Sequence, residues 1–515
     1  MEVAPQTRAE VPAVVRPRWS AWAQTLLIAV WLFAVCAAVF ALIQFGTNNL
    51  VDNDAFYHTK MALLIRQQGL APNFIWLPMT ILNPSAFYDH HMLFHVWLSL
   101  FVGNGDEARM IFGAKIATVV MASLMVMSLW WLFRTQKVRW SVFWALAIFT
   151  LSQAFLFRMS MTRGQSPSLL VLILGLICLF QRRYWLLLPV GFVYVWLYNA
   201  FPLLMVAAGA YFVATLLTER RWAWGALIFP AAGIVAGLLI NPYFPRDLAF
   251  IFEHLLPKLG VGNGNTTPVG NEWYPYDTWT LIQNSGLALL AWILGALALG
   301  WRERRMDRAT LTAFMLSIIF GYMVFKSRRF IEYFPAFALI FATLSIAPVL
   351  EELVDQLRPR WQRFVPGVMA VVLLVPGFLT VTQARQAMAD QSMPVGIYAD
   401  ASHWLRDHSK PGSMIFQTDW DDFPMLFFYN SSDIYTAGLD PTFMQLYNPE
   451  LYDEWVKITR GQVAKPGNII RSQFGASYVI TDLQHTDFIA QAKNDPLLKE
   501  VYRDQYAVVF SVAGE

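Results

Sequence analysis

Two carboxylates and a pair of arginines stand out by where they sit. Asp54, in Asn53-Asp54-Ala55-Phe56-Tyr57-His58, follows the end of an apolar run that starts at Ala21. Glu272 lies in Gly270-Asn271-Glu272-Trp273-Tyr274-Pro275-Tyr276-Asp277-Thr278-Trp279, just ahead of another such run. Arg328 and Arg329, in Lys326-Ser327-Arg328-Arg329-Phe330-Ile331-Glu332-Tyr333, separate two more. An ionised side chain at the edge of a hydrophobic span is costly unless it is paired or serves a function. Carboxylates orient hydroxyls and take their protons, and guanidinium forks grip phosphate oxygens with parallel hydrogen bonds. Gathered on one face of a membrane, such groups would act on a phosphate-bearing substrate.

The elements that must position them are membrane spans. Of 515 residues 57% are hydrophobic and 15% aromatic, and only 14% are charged, against about 25% in a soluble domain. That composition excludes a soluble fold and defines a polytopic α-helical membrane protein. A net charge of +3 gives no sign of a nucleic-acid partner. Cys36 and Cys178 both fall inside predicted spans, so no structural disulfide is expected and the redox compartment cannot be read from them. No internal repeat or low-complexity tract is visible.

Windows of about 20 apolar residues predict eleven transmembrane helices near 21–45, 108–133, 140–157, 166–181, 184–200, 202–218, 222–240, 284–301, 309–325, 330–350 and 363–383. His91–Val102 is apolar but too short to cross, and reads as an interfacial helix. Seventeen basic residues then fall in short segments on one side: Arg8, Arg16, Arg18, Arg134, Lys137, Arg139, Arg182, Arg183, Arg220, Arg221, Arg302, Arg304, Arg305, Arg308, Arg358, Arg360 and Arg363. The positive-inside rule makes that side, with the 1–20 tail, cytoplasmic. The large first loop 46–108, the loop 241–283 and the tail 384–515 lie outside, so the expected location is the plasma (inner) membrane with an extracytoplasmic site. The tail alternates short β-like runs with helical stretches such as Tyr398–His408, and reads as a small α/β domain.

The outward loops carry further candidates. The first is read as solvated, with an amphipathic helix from about Ala55 to Gln68. It holds His58 and Asp89, and His91 and His95 at a four-residue spacing that places them on one helical face. The second, Arg158 to Pro167, puts Arg158 and Arg163 beside a helix start where Ser166 would cap and Pro167 suit the first turn, a corner that attracts anions. Four glycines between Gly260 and Gly270 make a mobile strap that would close Glu272 over a substrate.

In this order the pieces resemble the catalytic subunit of oligosaccharyltransferase, a membrane glycosyltransferase family of the GT-C fold. The stretch at Asp54 resembles the family's first-loop motif with its catalytic, metal-binding aspartate. Val269–Trp279 resembles its external-loop motif with a functional glutamate, Glu272. Lys326–Tyr333 resembles the segment whose arginine, matched by Arg329, meets the carrier phosphate. Thr418-Asp419-Trp420-Asp421-Asp422-Phe423 sits where the family has its Trp-Trp-Asp acceptor motif. Two positions depart: Gln165-Ser166-Pro167-Ser168 stands where the family has an acidic pair, and Asp419-Trp420-Asp421 alters the acceptor motif.

The resemblance implies a GT-C protein that moves a sugar or oligosaccharide from a polyprenyl-phosphate or polyprenyl-diphosphate carrier to an extracytoplasmic acceptor, with inversion. Asp54, Glu272 and Arg329 would be catalytic. His58, Asp89, Arg158, Arg163, Arg328, Trp273, Tyr333, Trp420 and Asp421 would bind substrate. It also implies Mg²⁺ or Mn²⁺, for which only Asp54 and Glu272 remain as hard ligands, few for either ion. Two alternatives stay open: a transferase using a polyprenyl-monophosphate sugar to modify a lipid or polysaccharide, and a transporter or flippase of a lipid-linked glycan.

Overall fold

The computed structural model describes residues 21–255, 257, 270–301 and 306–513. The 1–20 tail, the strap residues 260–269, and Arg302, Arg304 and Arg305 lie outside the described residues. The chain is mostly helical, because a segment in lipid must satisfy its own backbone groups. Six helices are long and apolar enough to cross a membrane: Trp22–Gln44, Glu107–Thr135, Pro202–Glu219, Thr278–Trp301, Phe334–Asp355 and Pro359–Asp390. Ser141–Leu151 and Gln153–Met159 together make a seventh candidate, bent by 99°. Gln165–Phe180, Tyr184–Leu197, Gly225–Leu239 and Arg308–Val324 are apolar but shorter, at 10–17 residues. Seventeen residues of helix reach about 26 Å, against a hydrocarbon core of about 30 Å.

The stretch expected as one span over 140–157 is broken, and the cause is local. Ser152 has an extended backbone (φ −160°, ψ 119°) and its Oγ accepts from Phe155 N at 3.0 Å, capping a new helix. The same Oγ lies 2.7 Å from Ser285 Oγ, where the Thr278–Trp301 helix also leaves helical geometry. The next helix corrects another expectation. Gly164 is the residue before its first turn, and Ser166 Oγ donates to Met159 O at 2.7 Å instead of capping.

Tyr184–Leu197 and Gly225–Leu239 pack backbone against backbone through glycines, as small residues allow in membranes. A Cβ on Gly233 would stand 2.1 Å from Leu188 O, and Trp196 Nε1 donates to Gly237 O at 2.8 Å. The ends of the bundle away from the polar motifs are tied by ion pairs, Arg139 to Asp355 at 2.8 Å and Arg182 and Arg308 to Glu219 at 2.5 and 3.0 Å.

The first loop is far from solvated. Its Asn53–Gln68 helix buries residues on every side, among them Phe56, Tyr57, His58, Met61 and Leu64. It lies against the short Met92–Ser99 helix and against Phe423–Tyr429 of the carboxy-terminal region. Phe56 meets Phe428 with rings 5.4 Å apart, Lys60 Nζ donates to Phe428 O at 3.0 Å, and Trp76 Nε1 donates to Ser431 O at 2.8 Å. The helix is therefore clamped between the Met92–Ser99 helix and the carboxy-terminal region, which carries a sheet.

That sheet has the order β2-β1-β3-β5-β4, with β1 Met414–Gln417, β2 Ile434–Tyr435, β3 Tyr478–Asp482, β4 Leu498–Arg503 and β5 Ala507–Val512. β1 runs parallel to β2 and β3, while β5 runs antiparallel to β3 and β4. Phe416 pairs with Val479 and Val479 with Phe510, and all three are fully buried. β1, β3 and β5 fall on runs legible in the sequence. β2 has two residues and β4 carries three exposed charges in six residues, so neither signals itself.

Candidate active site

Glu272 is the hub. It follows Gly270 in a short 3₁₀ turn, Asn271–Trp273, docked by Ser327 Oγ donating to Glu272 O at 2.8 Å. Its Oε1 lies 2.9 Å from Arg329 Nη1, and its Oε2 lies 2.9 Å from Arg158 Nη2 and 3.3 Å from Arg163 Nη1. Burial works to raise the Glu272 pKa, but Arg329, Arg158 and Arg163 outweigh it and hold the carboxyl well below the usual range.

Each arginine has a second anchor. Arg329 Nη2 donates to Tyr198 Oη at 2.8 Å, and its guanidinium lies over Trp273, 4.9 Å from the ring centre. Arg158, delivered by the bent half-helix, is also held by Glu332, with Nε to Oε1 at 2.8 Å. Arg163 pairs with Asp52 and puts Nη2 2.7 Å from Asp54 Oδ2. Asp54 stands in the first turn of its helix with about a third of its side chain (34%) open to the cavity. Burial, opposed by Arg163 and reinforced by the charges of Asp52 and Glu272, pushes its pKa up to about 6.

A cavity of about 260 Å³ is lined by Asp54, His58, Arg163, Glu272, Trp273, Arg329 and Tyr333. Seven of the residues expected from sequence thus meet in one space. Arg158 and Arg328 line a neighbouring cavity of about 280 Å³ that shares Glu272 and Arg329 with the first. Asp89 sits behind His58 and joins it through His95. Asp421 borders the motif, because Asn53 Nδ2 donates to its carbonyl at 2.8 Å, and burial with the nearby Asp419 pushes its carboxyl up to about 8. Trp420 lines a different cavity, of about 490 Å³, with Asp419 and Tyr452.

Arg328 does not join Arg329 in a clamp. It donates from Nε to Tyr274 O and from Nη2 to Pro275 O, both at 3.2 Å, and lies over Tyr276. The two arginines are neighbours at the start of a 3₁₀ turn but hold different partners. Sequence reading missed Asp52, Tyr198 and Glu332. Asp52 and Glu332 carried a signal, since each stands inside or beside a motif singled out for other residues.

The carboxylates fit a divalent cation poorly. Glu272 is spent on three guanidiniums and Asp54 on a fourth contact, so cationic groups occupy the positions a metal would need. Among the described residues no group of three or more His, Cys, Asp or Glu could hold a metal ion.

In fold the chain is similar to the GT-C membrane glycosyltransferases. The archaeal oligosaccharyltransferase AglB from Archaeoglobus fulgidus, solved with an inhibitory peptide and a dolichol-phosphate, superposes with a TM-score of 0.66 at 12% identity, over 92% of this chain and 72% of that one. ArnT from Cupriavidus metallidurans bound to undecaprenyl phosphate gives 0.54 at 15% identity, over 96% and 98%. The arabinofuranosyltransferase AftD from Mycobacteria gives 0.56 at 17% identity, over 94% of this chain and 40% of that one. No family model and no curated protein matches the sequence.

Proposed function

We propose that this protein is an extracytoplasmically acting membrane glycosyltransferase that takes a sugar from a polyprenyl-phosphate carrier. The observation that carries this reading is the convergence of Arg158, Arg163 and Arg329 on one carboxylate at the edge of a cavity that also holds Asp54. Solved proteins of similar fold contain dolichol-phosphate or undecaprenyl phosphate. We read all eleven apolar segments as spans, with the 1–20 tail cytoplasmic. The 21–383 region is the membrane part, and 384–515 an outer domain whose Asp421 face borders the site.

The chemistry follows from the charges. As the acceptor oxygen bonds to the anomeric carbon, the carbon–phosphate-oxygen bond breaks and its electron pair moves onto the phosphate. Arg329, fixed by Tyr198 and Trp273, neutralises that growing charge, and preorganised groups of this kind do the most for such a step. Asp54 orients the acceptor hydroxyl on the opposite side, so displacement inverts the anomeric centre. Glu272 stands in for phosphate between substrates by keeping the guanidiniums together. Trp273 and Tyr333 line the cavity where sugar or lipid would lie. Arginines do here what a metal ion would otherwise do, which favours a monophosphate carrier over a diphosphate.

The test uses purified protein in nanodiscs with radiolabelled undecaprenyl phosphate. Wild type binds it, Arg329→Ala loses most of the binding, and Asp54→Asn retains it while abolishing sugar transfer from the matching lipid-linked donor. Equal binding by wild type and Arg329→Ala would overturn the reading.

A further inference from the structure

A second polar line runs behind the cavity wall, and the phosphate chemistry does not use it. Asp89 Oδ2 lies 2.7 Å from His95 Nδ1, and His95 Nε2 lies 2.7 Å from His58 Nδ1. The side chains of Asp89 and His95 are almost sealed from solvent, at 1% and 0% exposure, and His58, itself buried, lines the cavity. The other Asp89 oxygen accepts from His91 N at 3.0 Å, which fixes the carboxylate's direction. Separations of 6 and 37 residues hide this line from any sequence period.

Its polarity follows from valence. A carboxylate only accepts, so His95 Nδ1 carries a hydrogen and its Nε2 offers a lone pair. That lone pair takes the Nδ1 hydrogen of His58, which leaves a lone pair on His58 Nε2. Among the described residues, the contact with His95 is the only side-chain hydrogen bond His58 makes. His91 and Phe94 hold the ring edge-on, with centroids 4.8 and 5.3 Å away. The charged and titratable groups around it are His95, Arg163, His90 and His91, and burial with these positive or polar neighbours keeps His58 neutral, well below its ordinary pKa.

We propose that Asp89, His95 and His58 form a proton-accepting relay, in which His58 Nε2 takes the hydroxyl proton of the acceptor while Asp54 orients that hydroxyl. The assignment rests on the glycosyl-transfer reading above. Asp54 has one oxygen committed to Arg163 and offers the other to the acceptor hydroxyl. The step balances. The acceptor oxygen bonds to the anomeric carbon, the phosphate leaves with the bonding electrons, and the proton ends on His58 Nε2. The new imidazolium charge is then met through His95 by Asp89. His58 is the catalytic residue, and His95 and Asp89 are positioning residues.

The test reads the His58 lone pair without needing the natural acceptor. Diethyl pyrocarbonate acylates neutral imidazole, and peptide mass spectrometry gives a rate for each histidine in the full chain in nanodiscs. His58 should react, His95 should be spared, and saturating undecaprenyl phosphate should protect His58. Asp89→Asn should slow His58 about tenfold by removing the charge that raises its basicity, while Asp54→Asn leaves it within about twofold. His95→Gln is the second variant should Asp89→Asn fail to fold, and it should slow His58 likewise. With the matching lipid-linked donor, His58→Gln should lower kcat by about a hundredfold or more and leave KM within about threefold. An unreactive His58, or a rate indifferent to both Asp89→Asn and His95→Gln, overturns the relay. The expected rates without protection by undecaprenyl phosphate would instead overturn the glycosyl-transfer reading and leave the relay standing.

Discussion

Replacing Arg329 by lysine separates charge from shape. The guanidinium reaches Glu272 Oε1 at 2.9 Å and Tyr198 Oη at 2.8 Å with two different nitrogens while lying over Trp273. Lysine keeps the positive charge but has one nitrogen at the end of its stem, so it cannot span both partners. A hydrogen bond involving a charged group contributes about 1.5–3 kcal/mol and the ring contact about 0.5–1 kcal/mol. Losing one of each amounts to about 2–4 kcal/mol, or roughly a 30- to 1,000-fold fall in kcat/KM for the lipid-linked donor. Binding of undecaprenyl phosphate should weaken less than kcat/KM falls, because the charge on the phosphate grows only as the bond breaks. The assay pairs equilibrium binding in nanodiscs with initial rates from the matching donor. If Arg329→Lys keeps kcat/KM within about twofold, the fork geometry has no part in the reaction and the proposed role of Arg329 is refuted.

Three other outcomes follow from the same structure. Asp54, pushed up to about 6, orients the acceptor hydroxyl as the ionised carboxylate, so transfer should fall about tenfold per pH unit below 6; a rate level down to about pH 4.5 would refute this. The sign for stability is the reverse. A raised pKa means that this carboxyl's contribution is fully present below its ordinary 3.8 and is lost as pH rises through about 6, whereas the contribution of Glu272 is lost as pH falls. Arg328→Ala removes the grip on Tyr274 O and Pro275 O, and should raise KM about three- to tenfold with kcat little changed, as initial rates would show. Gly233→Ala drives a methyl to 2.1 Å from Leu188 O and should cost about 1–3 kcal/mol, read as a lower Tm in detergent, while Gly209→Ala, with nothing within 4 Å, serves as the neutral control.

The helices were legible because hydropathy is summed over many residues and tolerates local exceptions. The break at Ser152 was not, since one serine in an apolar run is ordinary until its partner Ser285 is known. Asp54, Glu272 and Arg329 were legible as polar residues in costly places. Their partners were hidden by distance along the chain: Arg158 meets Glu332 across 174 residues and Arg163 meets Asp52 across 111. Arg328 shows the opposite failure. Adjacency in sequence suggested a joint task, and the turn sends its side chain to hold a loop instead.

The bend at Ser152 sets how deep Arg158 sits. Because the half-helix Gln153–Met159 is anchored through Ser152 to Ser285, and not to the lipid surface, its arginine is indexed to protein and not to bilayer thickness. Mismatch between protein and membrane falls instead on long, lipid-facing helices outside that anchor, such as Trp22–Gln44, which can tilt. A membrane that thickens or thins would therefore strain the frame while leaving the spacing among Arg158, Glu272 and Arg329 unchanged.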